Sequence, residues 1–177
     1  QDLRFFARSK RYLPWHVILC VDQSASMANS LIYSTVMAAI LFNMPSIQVN
    51  LVLFDTSVID MSDQIDDPVE IMLSVQLGGG TNIAKAMRYC EQLLTTPQRT
   101  IMVLISDFEE GGSVTELIAS CRRFKESGAN LLGLAALDES GSPQYDHNMA
   151  SRLAANGMDV AALTPNELAE WMAKIIA

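Results

Sequence analysis

Five oxygen-bearing side chains lie where apolar or glycine-rich segments of this 177-residue chain end. They are Asp22, Ser24, Ser26, Thr81 and Asp107. The first three follow the apolar run at 16–21, the fourth follows three glycines at 78–80, and the last follows the apolar run at 100–106. Carboxylate and hydroxyl oxygens without His or Cys suit a hard cation. The set therefore predicts Mg²⁺ or Mn²⁺, with Ca²⁺ a weaker candidate and zinc disfavoured.

The charge of this set also predicts how it would bind an ion. Asp22 and Asp107 together balance a divalent cation, and the three hydroxyls add no charge. If the hydroxyls bind directly and the two aspartates act through water, the ion stays electrophilic and keeps a replaceable water. Such an ion favours an incoming carboxylate from a partner protein.

The alternative is that these residues are ordinary helix caps, since Ser, Thr and Asp are favoured N-cap residues: Ser24 or Ser26, Thr81 and Asp107 could each cap a helix. The glycines at 78–80 could likewise form a flexible turn. These interpretations stay open for any single residue. The occurrence of all five at strand ends or helix starts favours a site.

The elements that must position these side chains follow from the hydrophobic pattern. Continuous apolar runs rich in β-branched residues predict buried strands at 16–21, 47–54, 100–106, 129–137 and 158–163. Helices are predicted at 27–42, 83–94, 113–127 and 146–156 and from 164 onward. This alternation predicts an α/β fold with a mostly parallel sheet, in which ligands bind beyond the carboxyl ends of the strands.

Composition limits the possible functions. Hydrophobic residues make up 50% of the chain and charged residues 18%, which fits one globular domain. The formal net charge of −8 argues against binding to nucleic-acid phosphates. Three cysteines without paired spacing fit buried free thiols in a reducing compartment. No apolar run reaches the ~18 residues of a transmembrane helix, so we expect no membrane span in this chain.

The N-terminal residues differ from the rest of the chain. Residues 1–15 are basic and aromatic, whereas no Lys or Arg occurs from Tyr12 to Ala84. We expect 1–15 to be the tail of an upstream region that packs onto a domain formed by residues 16–177. The acidic stretch that follows is either a solvated face or a surface that attracts a cation or a basic partner.

Three motifs resemble those of a known family. They are Asp22-x-Ser24-x-Ser26, Gly-Gly-Gly-Thr-Asn at 78–82 and Ile-Ser-Asp at 105–107. They resemble the von Willebrand factor type A (VWA) domain, in which these segments form a metal-ion-dependent adhesion site. The resemblance covers residues 16–177 and implies a doubly wound, Rossmann-like fold with sheet order 3-2-1-4-5-6 and one short antiparallel strand. Ala25 and Phe108 replace glycines common in that family, and neither change removes a ligand.

A narrower resemblance concerns bacterial CoxE-like members. It is carried by basic residues before Leu-Pro-Trp at 13–15, Val-Asp-Gln-Ser-Ala-Ser-Met at 21–27 and Ser-Asp-Phe-Glu-Glu-Gly-Gly at 106–112. Such members are intracellular and are typically encoded beside MoxR-type AAA+ ATPases. The resemblance therefore implies a cytoplasmic, metal-dependent protein-binding module that works with an AAA+ ATPase as an adaptor.

An enzyme is the alternative, since Mg²⁺ at the same Asp, Ser and Thr residues could serve hydrolysis or phosphoryl transfer. The sequence has no phosphate loop and no nucleophile elbow. The turn after the first strand has no glycine, which disfavours a dinucleotide-binding domain. We therefore expect a binding module with no catalytic residues. Glu109 and Glu110 are expected to be solvated near the next helix, or else to tune which ligands approach the ion.

Overall fold

The computed structural model describes residues 14–64, 67–75 and 77–177, so the predicted packing of residues 1–13 lies outside the described residues. The strands are β1 (Trp15–Asp22), β2 (Ile47–Phe54), β3 (Val58–Asp60), β4 (Thr100–Ser106), β5 (Asn130–Ala135) and β6 (Asp159–Ala161). The α-helices are α1 (Leu31–Asn43), α2 (Pro68–Ser74), α3 (Ile83–Gln92), α4 (Val114–Ser127), α5 (His147–Ala155) and α6 (Pro165–Ile176). Short 3₁₀ turns lie at Ala25–Ser30, Ser62–Gln64 and Pro97–Arg99.

The six strands form one sheet in the order β3-β2-β1-β4-β5-β6. Every neighbouring pair is parallel except β2 and β3, which are antiparallel. The α/β class, the strand order and the one antiparallel strand are therefore confirmed. Strand β1 lies at the centre, and its last residues pair with β2 and β4, which brings the carboxyl ends of these three segments to one edge.

Two apolar cores cover the two faces of the sheet. Val17, Leu19 and Val21 of β1 face the layer that contains α1 and α6. Ile18 and Cys20 face the layer that contains α3, α4 and α5. Successive apolar side chains of β1 thus point alternately into the two cores. A strand of a doubly wound sheet is apolar along its length for this reason, since helices cover both of its faces. All three cysteines are buried and free.

Helix α1 and the 3₁₀ turn before it form one 19-residue apolar stretch, Ala25–Asn43, with a mean hydropathy of 1.5. By length and composition this stretch could cross a membrane, although the sequence pattern predicted no apolar run of that length. Its scattered Ser, Thr, Asn and Tyr residues interrupt the apolar run but lower the mean only slightly. Length and composition alone do not distinguish a membrane-spanning helix from the buried core helix of a soluble protein. In this fold α1 contacts β1, β2, α2 and α6.

Candidate metal site

The first segment of the candidate site is organised by Asp22, the last residue of β1. One carboxylate oxygen of Asp22 accepts a hydrogen bond from the backbone N–H of Ser24 at 2.9 Å, and the other accepts one from the Ser106 hydroxyl at 2.7 Å. The hydroxyl oxygens of Ser24 and Ser26 lie 3.3 Å apart. The turn therefore folds both serine hydroxyls back beside one buried carboxylate.

Asp107 supplies the second buried carboxylate. It follows β4, the parallel neighbour of β1, and it is only 5% exposed while Asp22 is 2% exposed. Burial raises the pKa of Asp22 to about 6, and the negative charge of Asp107 adds to the rise. Hydrogen bonds from Ser24 and Ser106 oppose it. The negative charge of Asp107 is thus close enough to disfavour the charged form of Asp22.

The glycine-rich loop is bonded directly to the first segment. The N–H of Gly78 donates to the carbonyl of Gln23 at 3.0 Å, and the N–H of Ala25 donates to the carbonyl of Gly79 at 2.9 Å. Asp55 accepts a hydrogen bond from the N–H of Gly79, and a Cβ at position 79 would lie 2.6 Å from the same carboxylate oxygen. Glycine is therefore required there by close approach, and Thr81 follows two residues later.

The third segment is bonded to the second. The carboxylate of Glu110 accepts hydrogen bonds from the backbone N–H groups of Ile83 and Ala84 at 2.9 and 2.8 Å, at the start of α3. The N–H of Gly111 donates to the carbonyl of Thr81 at 3.0 Å. Glu110 therefore caps the helix that precedes it in the chain. The expectation that it approaches the next helix was wrong, because Ser113 caps α4.

None of the five candidate residues forms a side-chain helix cap in this structure. Ser24 occupies an N-cap position without a side-chain cap hydrogen bond. The cap of α3 is Asn82, whose side chain accepts from the N–H of Lys85. The Asp107 carboxylate accepts from the N–H of Glu109, two residues on, within its own loop. The structural interpretation of these residues as caps is therefore wrong.

All five predicted residues lie on three loops that hydrogen bonds join at the carboxyl edge of the sheet. Sequence reasoning missed three residues that hold these loops in place: Ser106, Asp55 and Glu110. Ser106 stood inside the motif Ile-Ser-Asp, but only the neighbouring strand reveals its bond to Asp22. Asp55 comes directly after β2, and Asp22 is the last residue of β1, so both carboxylates lie at the carboxyl end of a strand. This shared position is a signal that could have found Asp55.

The donor set fits a hard divalent cation. Among the described residues, no cluster of three or more His, Cys, Asp and Glu side chains could hold a metal, so an ion at this edge would need hydroxyl oxygens as well. Asp22 and Asp107 are buried carboxylates, and burial of uncompensated charge is costly. Oxygen donors with two negative charges match what Mg²⁺ prefers.

The pattern Asp-x-Ser-x-Ser occurs a second time, at Asp138, Ser140 and Ser142, which sequence reasoning also missed. The local geometry is the same: the N–H of Ser140 donates to Asp138 at 2.9 Å, and the two serine hydroxyls lie 3.3 Å apart. Hydrogen bonds from Ser140 and Ser142 lower the pKa of Asp138, whereas burial raises that of Asp22. This second turn is a solvated loop and provides a matched control.

Comparison with known proteins identifies related sequences. A family model described as VWA domain containing CoxE-like protein matches residues 1–172. Uncharacterized protein YehP of Escherichia coli (strain K12) is 48% identical over 172 residues, which are 97% of this chain and 46% of that protein. The chain thus spans about half the length of this relative.

Solved structures share the fold at low sequence identity. An aerotolerance-related membrane protein from Bacteroides fragilis superposes with a TM-score of 0.69 at 16% identity, covering 92% of this chain and 98% of that chain. A von Willebrand factor type A protein from Catenulispora acidiphila superposes with a TM-score of 0.65 at 14% identity, covering 93% of this chain and 42% of that chain.

Proposed function

Because this chain belongs to the family of VWA-domain-containing CoxE-like proteins, we propose that it binds a partner protein through a divalent cation. Domains of the VWA type generally act as protein-interaction modules. In our proposal the ion is held by Asp22, Ser24, Ser26, Thr81 and Asp107. The observation that carries the proposal is a pair of buried carboxylates, Asp22 and Asp107, with serine hydroxyls folded beside Asp22.

The roles of the ligands follow from charge. The hydroxyls of Ser24, Ser26 and Thr81 would contact the ion directly, because they are neutral and none of them caps a helix. Asp22 and Asp107 would act through water, which leaves the ion under-neutralised. Mg²⁺ or Mn²⁺ fits this set better than Ca²⁺, which favours more carboxylate ligands. The bound ion would supply electrostatic attraction for a carboxylate of the partner.

The residues around the ligands hold the loops in register. Ser106 donates to Asp22 and accepts a hydrogen bond from the N–H of Phe108, so it links the first and third loops. Asp55 fixes the glycine-rich loop through the N–H of Gly79. Glu110 fixes the start of α3. A preorganised site of this kind would bind its ion without large rearrangement.

The nature of the partner follows from charge and from family resemblance. The described chain around the site is acidic, with no Lys or Arg before Lys85, which opposes a broadly acidic partner surface. A single Glu or Asp on a neutral or basic surface is the expected ligand. A MoxR-type AAA+ ATPase in the cytoplasm is the candidate that the family resemblance supplies, and we propose it on that basis.

Metal binding is tested first, with the metal alone. Titration with Mn²⁺, followed by electron paramagnetic resonance, should reveal one site, and Mg²⁺ should compete for it. Asp22→Ala should lose the site, whereas Asp138→Ala should keep it, because Asp138 sits in the same local turn without a second buried acid. Equal losses in the two variants, or no loss in Asp22→Ala, would refute the proposed site.

Partner binding is tested second, with a purified MoxR-type ATPase as the probe. Thr81→Ala and Ser26→Ala should each weaken association, and EDTA should have no further effect on those variants. Additive losses from EDTA and from either variant would show that the partner docks without the ion. Turnover of a phosphate ester with Mg²⁺, abolished by Asp22→Ala, would instead support the enzyme alternative.

A further inference from the structure

A pocket of about 230 Å³ lies directly beside the candidate metal site. Two of the five proposed ligands, Asp22 and Ser24, also line this pocket. Most of its other side chains are apolar and come from the end of β1, from the turn and first residue of α1, and from the segment after α2: Val21, Met27, Leu31, Val75 and Leu77. A partner whose carboxylate reaches the ion would therefore lie next to the pocket.

The mouth of the pocket consists of exposed residues with small side chains or none. They are Ala25, Ala28 and Gly78. Ala25 directly precedes Ser26, a proposed ligand that is exposed as well. The pocket therefore opens to solvent beside the proposed ion and leaves room for a side chain to enter.

Hydrogen bonds hold the walls of the pocket in place. The Nε2 of Gln23, which lines the pocket, donates to the carbonyl of Met72 at 3.3 Å and so joins the end of β1 to α2. The N–H of Gly78 donates to the carbonyl of Gln23 at 3.0 Å, which joins the glycine-rich loop to the same residue. The pocket is therefore formed before anything binds, as is usual for ligand pockets.

The size and the chemistry of the pocket fit one large apolar side chain on a peptide segment. A cavity of about 150 Å³ with an apolar lining holds benzene, so this pocket has room for a Phe, Leu or Met side chain. The Oε1 of Gln23 is buried and has no hydrogen-bond partner among the described residues. A peptide segment carries backbone N–H groups, the donors that such an acceptor lacks, whereas a hydrocarbon ligand carries none.

We propose that this pocket receives a Phe, Leu or Met side chain of the partner, close in sequence to the carboxylate that binds the ion. The inference rests on the proposed function, because the ion determines where the partner lies. It adds selectivity to that function. The ion attracts any accessible carboxylate, and the pocket selects a carboxylate that has a large apolar neighbour, in the way that a buried anchor selects a partner at other interfaces.

Toluene tests the pocket without the ion. In EDTA, toluene should shift the NMR signals of the methyl groups of Met27, Leu31 and Leu77. Ala28→Phe places a ring at the mouth and should abolish these shifts, whereas Ala154→Phe makes the same change at an exposed position of α5 and should keep them. No shift in the native chain, or equal shifts in the two variants, would overturn the inference and leave the proposed metal site standing.

Displayed peptides test the chemistry of the partner. Phage that carry short random peptides with one fixed Glu are selected in Mg²⁺ and released with EDTA. Phe, Leu or Met should be enriched at one fixed distance from the Glu. A selected peptide should bind Ala28→Phe about tenfold more weakly than the native chain or Ala154→Phe, because the burial of one apolar side chain is lost.

The affinity of Ala28→Phe for Mn²⁺ should equal that of the native chain, since the variant changes the pocket and keeps the proposed ligands. Peptides that need the Glu but show no apolar preference would overturn the inference alone. Peptides that bind equally well in Mg²⁺ and in EDTA would refute the proposed function and this inference with it.

Discussion

Asp22 combines deep burial with a negative charge, and the two demands conflict in the metal-free protein. Its pKa is about 6 in the folded state against an ordinary value of 3.8, mainly because burial disfavours the charged form. The folded state therefore holds the proton more tightly than the unfolded state. The ionised carboxylate begins to destabilise the fold above pH 4, and the full penalty is reached above pH 6.

We predict that Asp22→Asn stabilises the metal-free domain at pH 8 by up to about 3 kcal/mol, the free-energy equivalent of that pKa difference. The gain should shrink as the pH falls from 6 to 4, where Asp22 is already neutral. Urea denaturation in EDTA at several pH values measures it. The expectation fails if the gain is the same at pH 4 and pH 8.

The matched control is Asp138→Asn. Hydrogen bonds from Ser140 and Ser142 lower the pKa of Asp138, so its charged form is the favoured one in the fold. Removing that charge should give no gain in stability at pH 8. In saturating Mg²⁺ the Asp22→Asn gain should be lost, since the variant gives up the proposed ion while the native protein keeps it.

Phe108 carries a second conflict, between backbone and side chain. Its φ of 62° lies in the left-handed region that favours glycine, yet its ring is fully buried and contacts Tyr145 edge-on. Replacing the ring should cost about 3–5 kcal/mol for either small residue. Because of the positive φ, we predict that Phe108→Gly is more stable than Phe108→Ala by about 0.5–1 kcal/mol.

The reverse order is expected at Leu104, a fully buried residue of β4. There Leu104→Ala should be more stable than Leu104→Gly, because glycine loses more entropy in a strand. Thermal unfolding of the four variants measures both orders. Alanine above glycine at both positions would show that the positive φ of Phe108 costs little.

At the scale of elements, Glu110 is the link between the second and third loops of the site. Its carboxylate accepts hydrogen bonds from the N–H groups of Ile83, Ala84 and Gly112. A negative charge also suits the positive N-terminal end of α3. We predict that Glu110→Ala lowers the free energy of unfolding by about 1–3 kcal/mol.

Hydrogen exchange locates the effect. The amides of residues 79–84 should exchange faster in Glu110→Ala, and the affinity for Mn²⁺ should fall because Thr81 lies in that loop. The control is Glu109→Ala. Glu109 is exposed, and among the described residues its carboxylate accepts no hydrogen bond from the start of α3. Similar exchange in both variants would mean that Glu110 does not hold the loop.

Element boundaries show what local pattern can predict. The strands predicted at 47–54 and 100–106 agree with β2 and β4. The apolar run of β4 is buried along its whole length, as expected of a central parallel strand. The helix predicted at 27–42 begins instead as a 3₁₀ turn, and α1 starts at Leu31. The Ser24 hydroxyl lies beside Ser26 and provides no cap, which no local propensity encodes.

The residue types of the site could be predicted from the sequence, but the neighbouring residues that hold them in place could not. Asp-x-Ser-x-Ser occurs at both 22–26 and 138–142 with the same local geometry, so the motif alone does not identify a site. What separates the two is the neighbouring strand, which places Asp107 and Ser106 beside Asp22. Such pairing is non-local, and strand order entered the prediction only through the family resemblance.

At the scale of the whole molecule, the apolar cores and the candidate site occupy different places. The cores lie on both faces of the sheet and draw on β1, β2, β4 and β5 along their length. The candidate site lies only at the loops beyond one edge. Folding should therefore rest on the cores, and the ion should contribute only by binding to a domain that is already folded.

We predict that EDTA lowers the melting temperature without abolishing cooperative unfolding. At a hundredfold excess of Mg²⁺ over its dissociation constant, linkage stabilises the fold by about 2.7 kcal/mol. For a chain of this length that is a shift of about 5–10 °C. Differential scanning calorimetry measures it, and Asp22→Ala should melt at one temperature with or without Mg²⁺. Asp138→Ala should respond to Mg²⁺ as the native chain does. A domain that melts without cooperativity in EDTA would make the ion a structural requirement, in conflict with a site that lies outside the two apolar cores.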